Sequence, residues 1–266
     1  MPTWTDVVLG DATRRNGRPA VTDVRTGEVL TYELLAKKLG RAAAGLRERG
    51  LSTGDPVLVH LPPGANYPLA LHAAAAAGAL VLPLECDMDT ELFYERLCTS
   101  RARLLITDAE LAEWSTSAVG ESRIRQIFAF GDVPGATSFC DLDGRPAKVP
   151  VSVAASFDGR HRIGHAGMVT ELRRLSREVG LTERDTVLVA ATEAREQAVM
   201  FDLAMMAGAH VIATVEPTLS RCRELIADHR VSVAAVPPRL APVLDGEHVR
   251  LTVHGHTMVL VRTPRT

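Results

Sequence analysis

The sequence predicts an α/β protein of two stacked, mostly parallel sheets with helices, layered α-β-α-β-α. Three observations lead there. The first is an internal repeat. Shifted by 130 positions, Arg47-Glu48-x-Gly50-Leu51 falls on Arg177-Glu178-x-Gly180-Leu181. Asp55-x-Val57-Leu58-Val59 then falls on Asp185-x-Val187-Leu188-Val189, and Ala77-Gly78-Ala79-x-Val81 on Ala207-Gly208-Ala209-x-Val211, without a gap. The second is the order inside each copy: helix, Gly turn, apolar strand, helix, Gly, apolar strand. That is the βαβ unit of a parallel sheet. The third is that the strands are apolar without alternation, as parallel strands covered on both faces are. Antiparallel pairs in both sheets would count against this expectation.

Thr31 is placed to cap a helix carrying Leu34, Leu35, Leu39, Ala42, Ala43 and Leu46 on one face up to Gly50. Val57 to Leu61 reads as a strand ended by Pro62-Pro63-Gly64. A helix of small residues, Asn66 to Ala77, is closed by Gly78 and followed by a strand from Ala79 to Leu84. The run Ala73 to Ala77 lets that helix pack closely on its sheet. Thr90 caps the next helix to about Ser100, Arg103 to Thr107 is a strand, Asp108 starts a helix, and Ile127 to Phe130 is a fourth strand. Residues 131–150 are rich in Gly, Pro and Asp and read as a boundary. The expected division is a first lobe over 1–135, a linker over 136–150 and a second lobe over 151–266, with no C-terminal lid domain. In the second lobe the strands are Val151 to Ala155, Thr186 to Ala191, His210 to Thr214, Ser232 to Val236, Val249 to Val253 and Met258 to Val261. Its helices are Gly167 to Val179, Gln197 to Ala207 and Leu219 to His229, with a short one to Leu244 opened by Pro237-Pro238.

At 266 residues and 46% apolar content the chain can bury a large core. A net charge of −2 with interspersed signs gives no electrostatic case for nucleic acid or an anionic membrane. Aromatics, at 4%, are too few for base-stacking platforms. Cys86, Cys98, Cys140 and Cys222 form no CxxC and read as thiols in a reducing cytosol. Met1 to Gly17 lacks an apolar signal segment, and the longest apolar run, Leu69 to Leu84, is interrupted by His72 and Pro83. A cytoplasmic protein without membrane spans is expected.

Several residues together resemble the opening of the adenylate-forming enzymes: acyl-CoA synthetases, nonribosomal peptide adenylation domains and luciferases. They are Leu30-Thr31-Tyr32-x-Leu34, Ala43-x-x-Leu46, Gly50, Gly54-Asp55, Leu61-Pro62 and Ala77-Gly78 to Pro83. The resemblance spans residues 5–112. It continues more loosely over 166–240 through Met168-x-Thr170, Asp185-x-Val187-Leu188, Ala207-Gly208-Ala209 and Val236-Pro237. It implies the family's fold. It also implies the family's chemistry, in which ATP and magnesium join a carboxylate to AMP and the acyl group then passes to a thiol.

The family's hallmark loop, of type T-S-G-T-T-G-x-P-K-G, departs sharply here. Its glycines bring backbone N–H groups to phosphate, its hydroxyls add hydrogen bonds, and its Lys adds charge. The corresponding stretch is Phe157-Asp158-Gly159-Arg160-His161-Arg162-Ile163-Gly164-His165-Ala166. Only Gly159 matches a loop glycine. Arg160 and His161 replace the paired threonines, Arg162 the second glycine and His165 the lysine. Asp158 adds negative charge. Thr192-Glu193-Ala194-Arg195 stands at the P-x-x-H substrate gate, with Arg195 as the gate equivalent. The adenine-holding Y-G-x-T-E segment, the ribose-holding T-G-D segment and the lid lysine have no counterpart. No cofactor is therefore expected, although ATP, magnesium and CoA are the family's.

Asp158, Gly159, Arg160, His161, Arg162 and His165 remain a degenerate phosphate loop or a candidate anion or acid–base site. Arg160 and Arg162 with the helix starting near Gly167 could hold a smaller anion. His161-x-x-x-His165 and His254-x-His256 have spacings seen in metal sites but lack a third ligand, so no metal is expected. Asp55 and Asp185 follow Gly turns in both copies and read as turn or cap residues. Arg173-Arg174, Arg177-Glu178 and Glu193 to Glu196 read as solvated helix faces. The leading functional expectation is a non-adenylating relative that holds an acyl or small carboxylate ligand, or docks a carrier protein or full-length synthetase. A residual or split acyl-CoA ligase completed by a partner chain, and a repurposed enzyme with acid–base chemistry in an interlobe cleft, are the alternatives. A homo- or hetero-oligomer is expected in either case.

Overall fold

The computed structural model describes residues 2–117, 119–145, 154–157, 162–191, 193–253 and 256–263. In chain order the elements are α1 (Trp4–Leu9), β1 (Pro19–Asp23), β2 (Val29–Thr31), α2 (Tyr32–Glu48), β3 (Pro56–Val59), α3 (Asn66–Ala76), β4 (Leu80–Pro83) and α4 (Thr90–Thr99). There follow β5 (Leu104–Asp108), α5 (Ala112–Ser117), β6 (Gln126–Phe130), β7 (Thr137–Ser138), β8 (Ala154–Phe157), β9 (Arg162–Gly164) and α6 (His165–Val179). The last are β10 (Thr186–Val189), α7 (Ala194–Ala207), β11 (His210–Ala213), α8 (Leu219–Asp228), β12 (Val233–Ala235), β13 (Glu247–Val253) and β14 (His256–Arg262). Among the described residues no helix is long and apolar enough to cross a membrane.

The chain forms two units, each with its own sheet. One comprises Met1–Thr5, Lys37–Pro62 and Leu69–Met168, the other Asp6–Ala36, Pro63–Pro68 and Val169–Thr266. The first sheet runs β7-β6-β5-β3-β4-β8-β9 and the second β13-β14-β12-β10-β11-β1-β2. This division departs from consecutive lobes over 1–135 and 151–266. The strands Pro19–Asp23 and Val29–Thr31 join the second sheet, where Val21 pairs with Val211, and Ala154–Phe157 and Arg162–Gly164 join the first, where Ser156 pairs with Val81. Neither pairing has a local signal, because each partner lies far along the chain.

Both sheets have parallel centres, as expected for βαβ repeats. Antiparallel pairs nevertheless occur in both: β8–β9 in the first, and β1–β2, β12–β14 and β13–β14 in the second. The expectation that they would be absent fails. A hairpin strand can extend the outside of a parallel sheet through a short connection, without a crossover helix.

The repeat holds down to single hydrogen bonds. Pro56 pairs with Leu80 in one copy and Thr186 with His210 in the other. Asp55 Oδ2 accepts from Ser52 N at 2.9 Å, and Asp185 Oδ2 from Thr182 N at 2.7 Å. The backbone carbonyls of Asp55 and Asp185 then accept from Leu80 N and His210 N, at 2.9 and 3.0 Å. Gly78 and Gly208 end the intervening helices at φ 94° and 76°, a conformation glycine adopts without strain. Both aspartates are turn residues, as the sequence indicated.

Phe93, Leu97, Leu58, Leu82 and Leu105 are central to the first unit's core; Leu188, Ile212, Cys222, Leu225 and Ala234 are central to the second's. Fully burying each such Leu is worth about 1.5–3 kcal/mol. Thr31 caps α2, its Oγ1 accepting from Leu34 N at 3.2 Å. For α4 the cap is Asp89, whose Oδ1 accepts from Leu92 N at 2.8 Å, and not Thr90. Asp108 closes a turn through Glu110 N and Leu111 N, and the helix begins only at Ala112.

The expected linker is largely an ordered strap. Phe139 is buried and stacks on Phe130 at 4.3 Å. Gly144 N donates to Arg41 O at 3.2 Å, and the Arg41 guanidinium pairs with the Asp143 carboxylate. Strap and α2 meet backbone to backbone. A Cβ on Gly45 would lie 2.9 Å from Asp143 N, and one on Gly144 2.6 Å from Ala44 C. Residues 146–150 lie outside the described residues.

Candidate functional site

In the first unit β8 is laid against β4 in parallel, with Ser156 Oγ donating to Val81 O at 3.2 Å. β9 turns back antiparallel to β8, pairing Phe157 with Arg162 and Ser156 with Ile163. The segment at the family's phosphate loop is thus a β-hairpin leading directly into α6. Asp158, Gly159, Arg160 and His161 lie outside the described residues, and with them the His161/His165 metal spacing. Arg162 is exposed.

His165 is the first residue of α6, two positions before the expected helix start, and is only 8% exposed. Its Nδ1 accepts the backbone N–H of Trp4 at 3.0 Å. Trp4 is itself 1% exposed, with its ring 4.9 Å from that of His72, and Thr5 Oγ1 lies 3.3 Å from His72 Nδ1. Of the residues of the degenerate phosphate loop, His165 is thus buried and engaged within the first unit. An imidazole accepting at Nδ1 is not the doubly protonated cation. The side chain at the lysine's position ties down the backbone of Trp4 instead of presenting a mobile positive charge.

In the second unit the gate-equivalent Arg195 lies in the first turn of α7 and is half-buried; Thr192 lies outside the described residues. Tyr67 Oη donates to Ala194 O at 2.9 Å, and its ring lies 5.5 Å from Phe201. Glu196 was expected on a solvated face but is only 7% exposed. Burial, aided by the nearby Glu193 charge, pushes its carboxyl up to about 7. Gln197 is 2% exposed, and its Nε2 has no hydrogen-bond partner among the described residues. The sequence signal for Glu196 was the apolar run Ala198-Val199-Met200 that follows it in a helix buried on nearly all sides. The other charged run behaves as expected: Arg174 pairs with Glu171 at 3.0 Å and Glu178 at 2.8 Å on the surface of α6.

The structure also joins residues the sequence left apart. His60 Nδ1 lies 2.7 Å from Ser115 Oγ, and Ser115 Oγ 3.1 Å from Thr107 Oγ1. The His60 ring lies about 5 Å from those of Phe93 and Trp114. All three polar residues are 0% exposed, and burial holds the imidazole down to about 4. A base beside a hydroxyl resembles an activated nucleophile. Sealed from substrate, this trio is a polar core network. Among the described residues no group of three His, Cys, Asp or Glu side chains is placed to hold a metal ion. His254 lies outside the described residues.

Comparison with known proteins converges on one family. The model of the AMP-binding enzyme family matches residues 10–154. Enterobactin synthase component F of Escherichia coli (strain K12) is 33% identical over 138 residues, covering 52% of this chain and 9% of that protein. Salicyl-AMP ligase / salicyl-S-ArCP synthetase of Mycobacterium tuberculosis is 44% identical over 108 residues, covering 39% of this chain and 19% of that protein. The benzoate CoA ligase of Burkholderia xenovorans LB400 superposes with a TM-score of 0.78 at 21% identity, covering 91% of this chain and 51% of that one. This chain thus spans a small part of the first two proteins and about half of the third. Repeat, sheet order and matched segment agree: the chain belongs to the AMP-binding enzyme family.

Proposed function

We propose that this chain is an acyl-CoA synthetase-like protein that holds an acyl or small carboxylate ligand without adenylating it. The observation that carries this reading is the engagement of His165. Where the family places a lysine ammonium for phosphate, this chain has a buried imidazole whose Nδ1 accepts from Trp4 N. The described residues at this segment do not fit a nucleotide triphosphate. They supply β-pairing and one exposed guanidinium, Arg162, but no lysine and no hydroxyl pair. No step through ATP, magnesium or CoA is therefore derived. Family membership and the resemblance to salicyl-AMP ligase support a carboxylate as ligand.

Turnover and binding separate the readings. Pyrophosphate release would be followed with ATP–Mg and a set of aromatic and fatty carboxylates. Thermal unfolding would be followed with each carboxylate alone. The expected result is background release with a carboxylate-dependent rise in Tm, since a ligand that binds the folded state stabilises it. Carboxylate-dependent pyrophosphate release above background would overturn the reading in favour of a working ligase. Absence of any Tm rise would remove the ligand-holding role.

A further inference from the structure

The first unit carries a concavity lined by none of the candidate site residues. It lies at the amino ends of β3, β5 and β6 and has a volume of about 460 Å³. Arg49, Arg103, Arg123 and Arg125 all line it, and all four are exposed. The carboxylate among the lining residues is Asp55, whose Oδ2 is already engaged by Ser52 N at 2.9 Å. In a chain of net charge −2, this gathers four cations around one hollow.

Two of the arginines are positioned by the protein and two are not. Arg49 reaches Asp141 O with both terminal nitrogens at 3.4 Å, and its guanidinium lies 5.8 Å from the Phe128 ring. Arg125 donates to Ser122 O at 3.1 Å and to Ile124 O at 2.8 Å. Arg103 and Arg123 make no side-chain hydrogen bond or ion pair with the described residues. Four guanidinium groups in one concavity repel each other, and that repulsion is relieved by a multivalent anion. Guanidinium forks match the oxygen geometry of phosphate bidentately. The volume suits a small molecule rather than a macromolecular surface.

We infer that this four-arginine cleft binds a small polyanion bearing two or more phosphoryl groups, independently of whether the protein adenylates anything. The second unit supplies a comparison. Another hollow, in the second unit and of about 520 Å³, is lined by Arg184, Arg223 and Arg230, but also by Asp245 and the apolar Ile226 and Leu244. It is the poorer polyanion site.

The test is calorimetric titration of the whole chain with inorganic tripolyphosphate at low salt. It compares wild type with the double variants R103Q/R123Q and R184Q/R230Q, and with R162Q at the hairpin. Circular dichroism would check that each is folded; the exposed Arg103 and Arg123 should be replaceable without loss of fold. The expected result is binding by wild type, at least tenfold weaker in R103Q/R123Q and unchanged in the other two. No binding by wild type, binding undiminished in R103Q/R123Q, or equal loss in R184Q/R230Q or R162Q would each overturn the inference.

Discussion

The two copies of the βαβ repeat share their backbone and differ in what their side chains face. Strand register, Gly-ended helices and the Asp turn coincide, because each is closed by hydrogen bonds within a few residues or to the neighbouring strand. The differences fall where a distant segment arrives. Gly45 of α2 stands where α6 has Leu175. The first admits the backbone of residues 142–144, whereas the second fills its site with a fully buried side chain. The flank of the second repeat strand is covered in both copies, by β8 beside β4 and by β1 beside β11, each recruited from far along the chain. A duplicated scaffold thus keeps its local geometry and is individualised by its non-local partners.

Exchanging the divergent residues tests that view. The largest effect is expected for Gly45→Leu, whose Cβ would meet backbone atoms at 2.9 Å. Backbone cannot yield as a side chain can, so a loss of about 3 kcal/mol or more is expected in urea unfolding. The converse Leu175→Ala should cost about 2–5 kcal/mol through the cavity it leaves. A near-neutral Gly45→Leu would show that the strap is not packed on α2.

The turn aspartates come next. Asp185 is 3% exposed and accepts from Thr182 N, Thr182 Oγ1 and Ser232 Oγ at 2.7–2.8 Å. Asp55 is more exposed and is held by Ser52 N. Asp185→Ala should cost about 2–3 kcal/mol and Asp55→Ala about 1 kcal/mol or less. Equal losses would contradict the difference in burial.

Glu196 occupies the position of Asn66 in the first copy, and the contrast is readable by pH. Its carboxyl is raised from 4.5 to about 7, so the folded state resists ionisation that the unfolded chain accepts. Its favourable contribution is fully present below pH 4.5 and is lost as pH rises to about 7. Glu196→Gln should therefore be more stable than wild type by about 3 kcal/mol above pH 7 and indistinguishable from it below pH 4.5. A pH-independent difference would remove burial of the carboxyl as the cause.

The smallest effect tests likeness rather than difference. Arg101 and Arg230 precede β5 and β12 at φ 58° and 50°, the left-handed region that costs a residue with a Cβ about 1 kcal/mol. Arg101→Gly and Arg230→Gly should each stabilise the fold by up to about 1 kcal/mol, read as a higher urea midpoint. A response in one copy alone would mean that the two connections are not equivalent.

What could be read from the sequence follows the same line. The Gly turns, the Asp turns and the apolar strands were legible because their partners lie within a repeat. Asp89 displaced Thr90 as cap because both can accept at a helix start and only the backbone angles decide. β1 and β2 were missed because Val21 finds its ladder at Val211, and the Gly45–Gly144 approach because neither glycine signals a partner. At the candidate site, the loss of the lysine was legible in the sequence. The Trp4 N–H that engages His165, 161 positions away, was not.

The pairing of β1 with β11 has a consequence in time. A ribosome adding about 5–20 residues per second needs roughly 10–40 s to travel the 190 residues from Val21 to Val211. Throughout that interval β1 and β2 exist as a two-stranded hairpin, which is marginal in water by itself. One side of β1 offers an unpaired ladder to any passing strand. The β1–β2 hairpin is thus made long before the strand that covers it. Nascent chains of this protein should depend most on chaperones before β11 emerges.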